Sequence, residues 1–174
     1  MGRMSDLVVD NPFTLDTACT VRLADETTVS RVLDHAKSAA RAFRTTSIDE
    51  RIALSEKACQ AMEARAEEIA QDISKMMGKP VAHARGEVKG MAQRWRHMNA
   101  IAKASLADLE LPPKEGFERR IVKEPLGVIF DLPAWNYPLL TAVNAVAPAI
   151  LAGNSVIVKH SPRSPLCGEH FERA

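Results

Sequence analysis

The feature that most constrains this fold is a pair of short apolar runs near the end of the chain. "LGVIFDL" (residues 126–132) and "SVIVK" (residues 155–159) each read as a buried strand, and "YPLLTAVNAVAPAILAG" (residues 137–153) reads as a helix between them. Gly153-Asn154 supplies the turn into the second run. Strands joined by a tight turn can pair antiparallel, but a crossover of about twenty residues with its own helix makes a βαβ unit, which favours a parallel pair. Parallel strands are covered on both faces, so the rest of the chain has to supply cover.

The preceding residues are suited to that task. Met1 to Asp25 are mixed, with β-like pieces such as "TVRLA", and residues 27–44 form a helix candidate with Val32, Ala36, Ala39 or Ala40, and Phe43 at helical spacing. "SIDE" (residues 47–50) is a capping box. The helix it opens is expected to carry Ile52, Ser55, Cys59, Met62, Ala66, Ile69 and Met76 on one face, and to stop at "GKP", with Gly78 as its terminator. A third helix follows, with Val81, Ala84, Val88, Met91, Trp95, Met98, Ala102 and Leu106 in a stripe, closed by "LPPKEG". These two helices could form an isolated coiled-coil hairpin acting as an adaptor. The small and polar residues in both seams are poor knobs, which favours packing on one common core. "FERRIVKEP" (residues 117–125) alternates apolar and charged residues, as a strand with one exposed face does, and "SPRSPLCGEHFERA" starts another helix. The fold class expected is therefore α/β, with N-terminal helices followed by the first βαβ of a Rossmann-like parallel sheet.

Composition narrows the function classes. A net charge of +1 gives no electrostatic reason to expect nucleic acid or an anionic membrane. Three cysteines, Cys19, Cys59 and Cys167, are an odd number without a CxxC pair, which argues against a disulfide framework or structural zinc and suits a reducing compartment. The five histidines have no tight ligand spacing, so no metal site is expected. The longest apolar run is too short to span a bilayer and the start has no signal-like core, so the expected location is the cytoplasm.

From Glu124 to Leu166 the sequence "EPLGVIFDLPAWNYPLLTAVNAVAPAILAGNSVIVKHSPRSPL" closely resembles the aldehyde dehydrogenase superfamily. There a strand leads into a Trp-Asn-aromatic-Pro loop, followed by a Pro-Ala…Ala-Gly-Asn segment and a strand ending in lysine. "MGKPVAHARGEV" (residues 77–88) resembles the family's helix junction more loosely, and nearly the whole chain aligns with the family's N-terminal part, roughly a third of a typical member. Members oxidise an aldehyde by attack of a cysteine thiolate, hydride transfer to NAD(P)+ and hydrolysis of the thioester. The resemblance implies that Asn136 donates its side-chain N–H to the oxyanion, that Lys159 bonds the adenosine ribose hydroxyls, and that Leu132, Pro133, Ala134 and Trp135 line the cofactor crevice. Taken alone, Asn136 also reads as a turn asparagine capping the next helix, and Lys159 as a solvated lysine at a strand end.

Two departures matter. Ala134 stands where the family often has proline directly before the tryptophan. Pro162 stands where NAD-preferring members often carry a glutamate, three residues after the lysine, that holds the ribose and repels a 2′-phosphate. Proline does neither and Arg163 beside it could attract a phosphate, so the cofactor expected is NAD or NADP without a choice between them. Cys167, near a helix start, resembles an activated thiol; it follows the cofactor lysine, however, and the family's nucleophile lies much further along.

The resemblance divides the chain into residues 1–116, the helical part of the cofactor-binding domain, 117–125, a strand of the type through which members oligomerise, and 126–174, the incomplete start of the NAD(P)-binding sheet. The motifs of the nucleophilic cysteine, the general-base glutamate and the glycine-rich nicotinamide turn are not found in it. The expectation is an aldehyde dehydrogenase portion inactive alone, a homo-oligomer in its full-length form. The alternative is a non-catalytic module that docks on a full-length dehydrogenase. The aldehyde itself is not legible, because the family builds its substrate pocket largely from other segments.

Overall fold

The computed structural model of the protein describes residues 6–174. Strand β1 (Asp6–Asp10) pairs antiparallel with β2 (Thr17–Arg22). Helices α1 (Glu26–Phe43), α2 (Ile48–Ala64), α3 (Ala66–Met77) and α4 (Val81–Leu106) follow. A two-residue ladder joins β3 (Leu109–Glu110) to β4 (Arg120–Ile121). The chain then forms β5 (Val128–Asp131), α5 (Pro138–Leu151), β6 (Ser155–Val158) and α6 (Leu166–Arg173). The α/β class expected from the sequence is observed: β5 and β6 pair parallel, with Val128 opposite Ser155 and Asp131 opposite Val158.

Local chemistry places most of these ends. The capping box forms in full: the Glu50 N–H donates to Ser47 Oγ (3.2 Å) and the Ser47 N–H donates back to Glu50 Oε2 (2.7 Å). Gly78 ends α3 in the left-handed region at φ 75°, a conformation glycine adopts without strain. A side chain there would also meet Pro12 Cγ at 2.9 Å, so the close approach of the β1–β2 turn requires the same residue.

Two elements differ from the sequence reading. The single helix expected from Ser47 to Gly78 is two, broken at Arg65 (φ −108°, ψ 21°). There the backbone N–H turns to the Met62 carbonyl, and the guanidinium reaches the carbonyls of Ala61 (3.3 Å) and His170 (2.9 Å). A tether to α6, remote in sequence, thus marks a break that the apolar spacing does not reveal. Residues 117–125 do not form a strand with one buried face. Only Arg120–Ile121 form a ladder, with Phe117 in a single bridge to Lys114, and Phe117, Ile121 and Val122 face solvent.

The core lies where α2, α3, α4 and α5 meet, centred on Met62, Ile69, Ile73, Met91, Trp95 and Val143. Helix α5 packs along α4, so the crossover of the βαβ unit and the N-terminal helices share one interior. Within it runs a polar chain: the Trp95 Nε1–H donates to Ser55 Oγ (2.7 Å), whose hydroxyl donates to Asn99 Oδ1 (2.7 Å), and Asn99 Nδ2 donates to Glu56 Oε2 (3.2 Å). Asn154, buried after α5, sets the strand register. Its Oδ1 accepts from the Gly127 N–H (2.8 Å) at the foot of β5, and its Nδ2 donates to the Ala149 carbonyl (3.2 Å).

Candidate functional site

In an open parallel sheet the carboxyl ends of the strands form the rim where ligands bind. Here that rim is the loop from Leu132 to Tyr137 after β5 and the turn from Lys159 to Pro165 after β6. Leu132 (62% exposed), Ala134 and Trp135 (50% exposed) present open apolar surface, whereas Pro133 is buried. Asn136, Lys159 and Pro162 are exposed. Trp135 and Asn136 stand in the bend just before α5, whose first residue, Pro138, needs no N–H partner. The N-cap residue Tyr137 makes no side-chain cap bond, and neither does Asn136, so the helix start is left to a partner from elsewhere in the chain.

Backbone bonds bring the two halves of the rim together. The Lys159 N–H donates to the Asp131 carbonyl (2.9 Å), continuing the parallel ladder past β6. His160, almost fully buried, lies with Nε2 3.0 Å from the Pro138 carbonyl. Its Nδ1 accepts the Ser161 N–H (3.1 Å), which leaves the proton on Nε2 to be donated to Pro138. Burial holds the pKa of His160 below its ordinary value, so the ring is neutral at neutral pH. The lysine turn and the asparagine turn are thus joined through one imidazole.

A second brace comes from the helical part. Glu87 projects from α4 with a side chain 1% exposed. Its Oε1 accepts the N–H groups of Leu139 (2.9 Å) and Leu140 (3.4 Å), in the first turn of α5. Its Oε2 pairs with Lys79 Nζ, which also donates to the Asn136 carbonyl (3.0 Å) and lies 4.1 Å from the centre of the Tyr137 ring. Thr141 Oγ1 closes the loop onto itself by donating to the carbonyls of Ala134 (3.1 Å) and Tyr137 (2.9 Å).

Sequence reasoning missed Lys79, Glu87, His160 and Asn154 as parts of this frame. A signal existed for Glu87: it falls inside the apolar stripe of α4, between Ala84, Val88 and Met91, where an unpaired carboxylate would be costly. Pro162 and Arg163 sit differently from the rest. Arg163 Nη1 pairs with Asp10 Oδ1 (2.6 Å), so the arginine that could attract a phosphate is held toward β1.

The other reactive groups have structural surroundings. Cys167 is fully buried and burial drives its thiol pKa far up, away from the thiolate form; Cys59 is likewise pushed up to about 11. Asp131 keeps Oδ2 buried without a partner among the described residues, and desolvation raises its pKa. Glu68, Asp72 and His170 lie within 4.8 Å of one another, a grouping their spacing in sequence does not suggest. His170 Nε2 is 2.9 Å from Asp72, Arg65 Nη1 is 3.5 Å from its Nδ1, and Arg173 pairs with Glu68 (3.4 Å), so nearby charges are already matched and the cluster ties α6 to α3. A groove of about 960 Å³ between α1, β6 and α6 is lined by residues such as Val32, Phe43, Val156 and Phe171 and includes none of the predicted site residues.

A parallel strand pair with an open carboxyl rim is where ligands bind in an α/β sheet, and the comparisons with known proteins are specific. The sequence model described as the aldehyde dehydrogenase family matches residues 2–174, and the chain belongs to that family. It is 31% identical over 155 residues to the succinate-semialdehyde dehydrogenase [NADP(+)] of Deinococcus radiodurans, covering 89% of this chain and 32% of that protein. It is 34% identical to the succinate semialdehyde dehydrogenase [NAD(P)+] of Escherichia coli K12, covering 91% of this chain and 34% of that one. Among solved structures, the NADP-dependent glyceraldehyde-3-phosphate dehydrogenase of Bacillus halodurans C-125, complexed with NADP, superposes with a TM-score of 0.88 at 27% identity over 97% of this chain and 37% of the other. The chain thus spans about a third of the length of the relatives it matches, and it is similar to their N-terminal portion. Among the described residues, no helix is long and apolar enough to cross a membrane.

Proposed function

We propose that this chain supplies one wall of the active site of an NAD(P)+-dependent aldehyde dehydrogenase, with Asn136 as the oxyanion donor and Lys159 as the anchor for the adenosine ribose. The observation that carries this reading is the rim itself: an exposed Asn136, an exposed Lys159 and an apolar Leu132-Ala134-Trp135 surface, joined by hydrogen bonds at the carboxyl ends of two parallel strands. The donor set fits a pyridine dinucleotide. Lys159 offers N–H donors to sugar hydroxyls, and the exposed apolar loop suits flat aromatic rings. When bound, the cofactor supplies the hydride acceptor.

The chain's own part in the reaction is electrostatic. When a nucleophile adds to the aldehyde, its carbonyl oxygen gains a full negative charge, and an amide N–H already pointed at that position lowers the barrier. One such donor typically contributes about 3–4 kcal/mol, or 10²–10³ in kcat. Asn136 suits this role because its side-chain amide is not consumed in capping α5 and its backbone is fixed by Lys79. Pro162 places no carboxylate against a 2′-phosphate, which supports acceptance of NADP+ as well as NAD+. Residues 117–125, with Phe117, Ile121 and Val122 in solvent, supply the edge through which a longer protein assembles, and the three free cysteines suit the reducing cytoplasm. The division at residues 116 and 125 belongs to this same reading.

A chimera tests it: residues 1–174 replace the corresponding third of the E. coli relative. The chimera is expected to reduce NAD(P)+ with aldehyde, and Asn136→Ala is expected to lower kcat by about 10²–10³ while KM changes little. An equal kcat before and after that substitution, in a folded and active chimera, refutes the role of Asn136. The 174-residue chain alone is expected to produce no NAD(P)H from any aldehyde, and measurable production would overturn that part.

A further inference from the structure

Beneath the turn that carries Asn136 lies a buried ion pair that touches no reacting atom. We propose that Lys79 and Glu87 are positioning residues that fix the direction in which Asn136 is presented; this rests on the reading of Asn136 as the oxyanion donor. A carboxylate with a 1% exposed side chain is tolerated only when both oxygens are engaged, and both are. One oxygen takes the free N–H groups of the first turn of α5, where the helix dipole also favours negative charge. The other takes the Lys79 ammonium, which passes the connection on to the Asn136 carbonyl and the face of Tyr137. Residues 136, 137, 139 and 140 are therefore each gripped by one pair of side chains.

Stability alone does not explain such an arrangement. Apolar side chains of similar size can replace buried ion pairs with no loss of stability, and the buried part of the seam between α4 and α5 is otherwise apolar, with the Arg94–Asn144 hydrogen bond at its exposed edge. What an apolar filling lacks is direction: it allows the turn to slide or rotate over the helix, whereas four directed bonds do not. Direction matters at this turn because a displacement of about 1 Å in a reacting geometry lowers rates about 10²-fold. The residues come from the junction of α3 and α4 and from almost two turns into α4, so the helical part of the chain sets the aim of a group on the sheet.

The test uses the full 174-residue chain, 15N-labelled and free of cofactor and aldehyde, with Lys79→Met, Glu87→Gln and the conservative Lys79→Arg. The signals read are the Trp135 indole N–H, the Asn136 side-chain NH2 and the exchange rates of the Leu139 and Leu140 amides, against the Trp95 amide as an internal reference. Lys79→Met and Glu87→Gln are expected to shift or broaden the Trp135 and Asn136 signals and to speed Leu139 and Leu140 exchange about tenfold or more relative to Trp95. Lys79→Arg restores the wild-type positions. If the variants melt earlier while the Trp135 and Asn136 signals stay within a linewidth of wild type, the pair is only structural and the proposal fails. Glu87→Gln, isosteric with the native side chain, carries the comparison should Lys79→Met not fold. Because no cofactor or aldehyde is present, failure here leaves the oxyanion reading standing. An inert Asn136→Ala in the chimera removes that reading while the turn is still seen to be braced.

Discussion

Ser55→Ala removes a single oxygen from the interior, yet it should be among the most damaging small changes in the chain. Ser55 Oγ is both acceptor for Trp95 Nε1–H and donor to Asn99 Oδ1, each at 2.7 Å, and Ser55 and Trp95 are essentially inaccessible to solvent. Alanine leaves the Trp95 Nε1–H and Asn99 Oδ1 without this partner in the interior. Each such orphan costs about 1–3 kcal/mol, so the pair should cost about 2–4 kcal/mol after some relaxation of Asn99. For a domain of this size that is a fall in Tm of roughly 5–15 °C. With a urea m-value of about 2 kcal/mol/M it is a shift of roughly 1–2 M in midpoint. The assay is urea unfolding followed by tryptophan fluorescence, with Ser155→Ala as the comparison. Ser155 Oγ makes one bond, to the Ala36 carbonyl (2.8 Å), from a half-buried position, and should lose about 1 kcal/mol or less. A Ser55→Ala loss below about 1 kcal/mol, or one no larger than that of Ser155→Ala, would show that Trp95 and Asn99 find other partners and would refute the reasoning.

Two further outcomes follow from the frame around the site. Gly153→Ala forces a side chain onto φ 87° and into the Arg51 guanidinium at 2.6 Å, displacing an arginine that donates to Thr46 Oγ1 and the Arg44 carbonyl. A loss of about 2–4 kcal/mol in chemical denaturation is expected, and a loss under about 1 kcal/mol would contradict the geometry. His160 has a folded pKa below its ordinary value near 6.5, so between the two values the unfolded chain binds more protons than the native one. Its contribution is therefore complete above pH 6.5 and is lost as pH falls toward the folded value. Unfolding midpoints at pH 7.5 and 5.5 should show a larger acid loss for wild type than for His160→Gln, and equal losses would remove His160 as the cause.

What could be read from the sequence was what neighbours in the chain decide. Ser47 and Glu50 lie three residues apart, and their reciprocal bonds need nothing beyond that spacing. Gly78 and the strand–helix–strand pattern from Val128 to Val158 are equally local, and so was the rim on which Asn136 and Lys159 stand. What escaped was decided by contacts across the chain. Arg65 breaks a continuous apolar stripe because His170, 105 residues later, offers a carbonyl. Glu87 reads as one more charge on a long helix until α5 arrives with open N–H groups. The alternation at residues 117–125 failed in the opposite way. It has the period of a strand, but a pattern becomes a strand only when a partner edge and a covering layer exist, and here only a two-residue ladder and one isolated bridge form.

The packing of α5 along α4 has a consequence for synthesis. A chain leaving the ribosome from its N-terminus completes α2, α3 and α4 well before residues 138–151 appear. Until then the flank of α4 bearing Glu87, Gly90 and Arg94, which meets α5, has nothing to lie against. During that interval Glu87 has Lys79 within reach but lacks the N–H groups of Leu139 and Leu140 that engage its other oxygen. The same α5 that follows the Asn136 turn is thus the element that closes the last open side of α4.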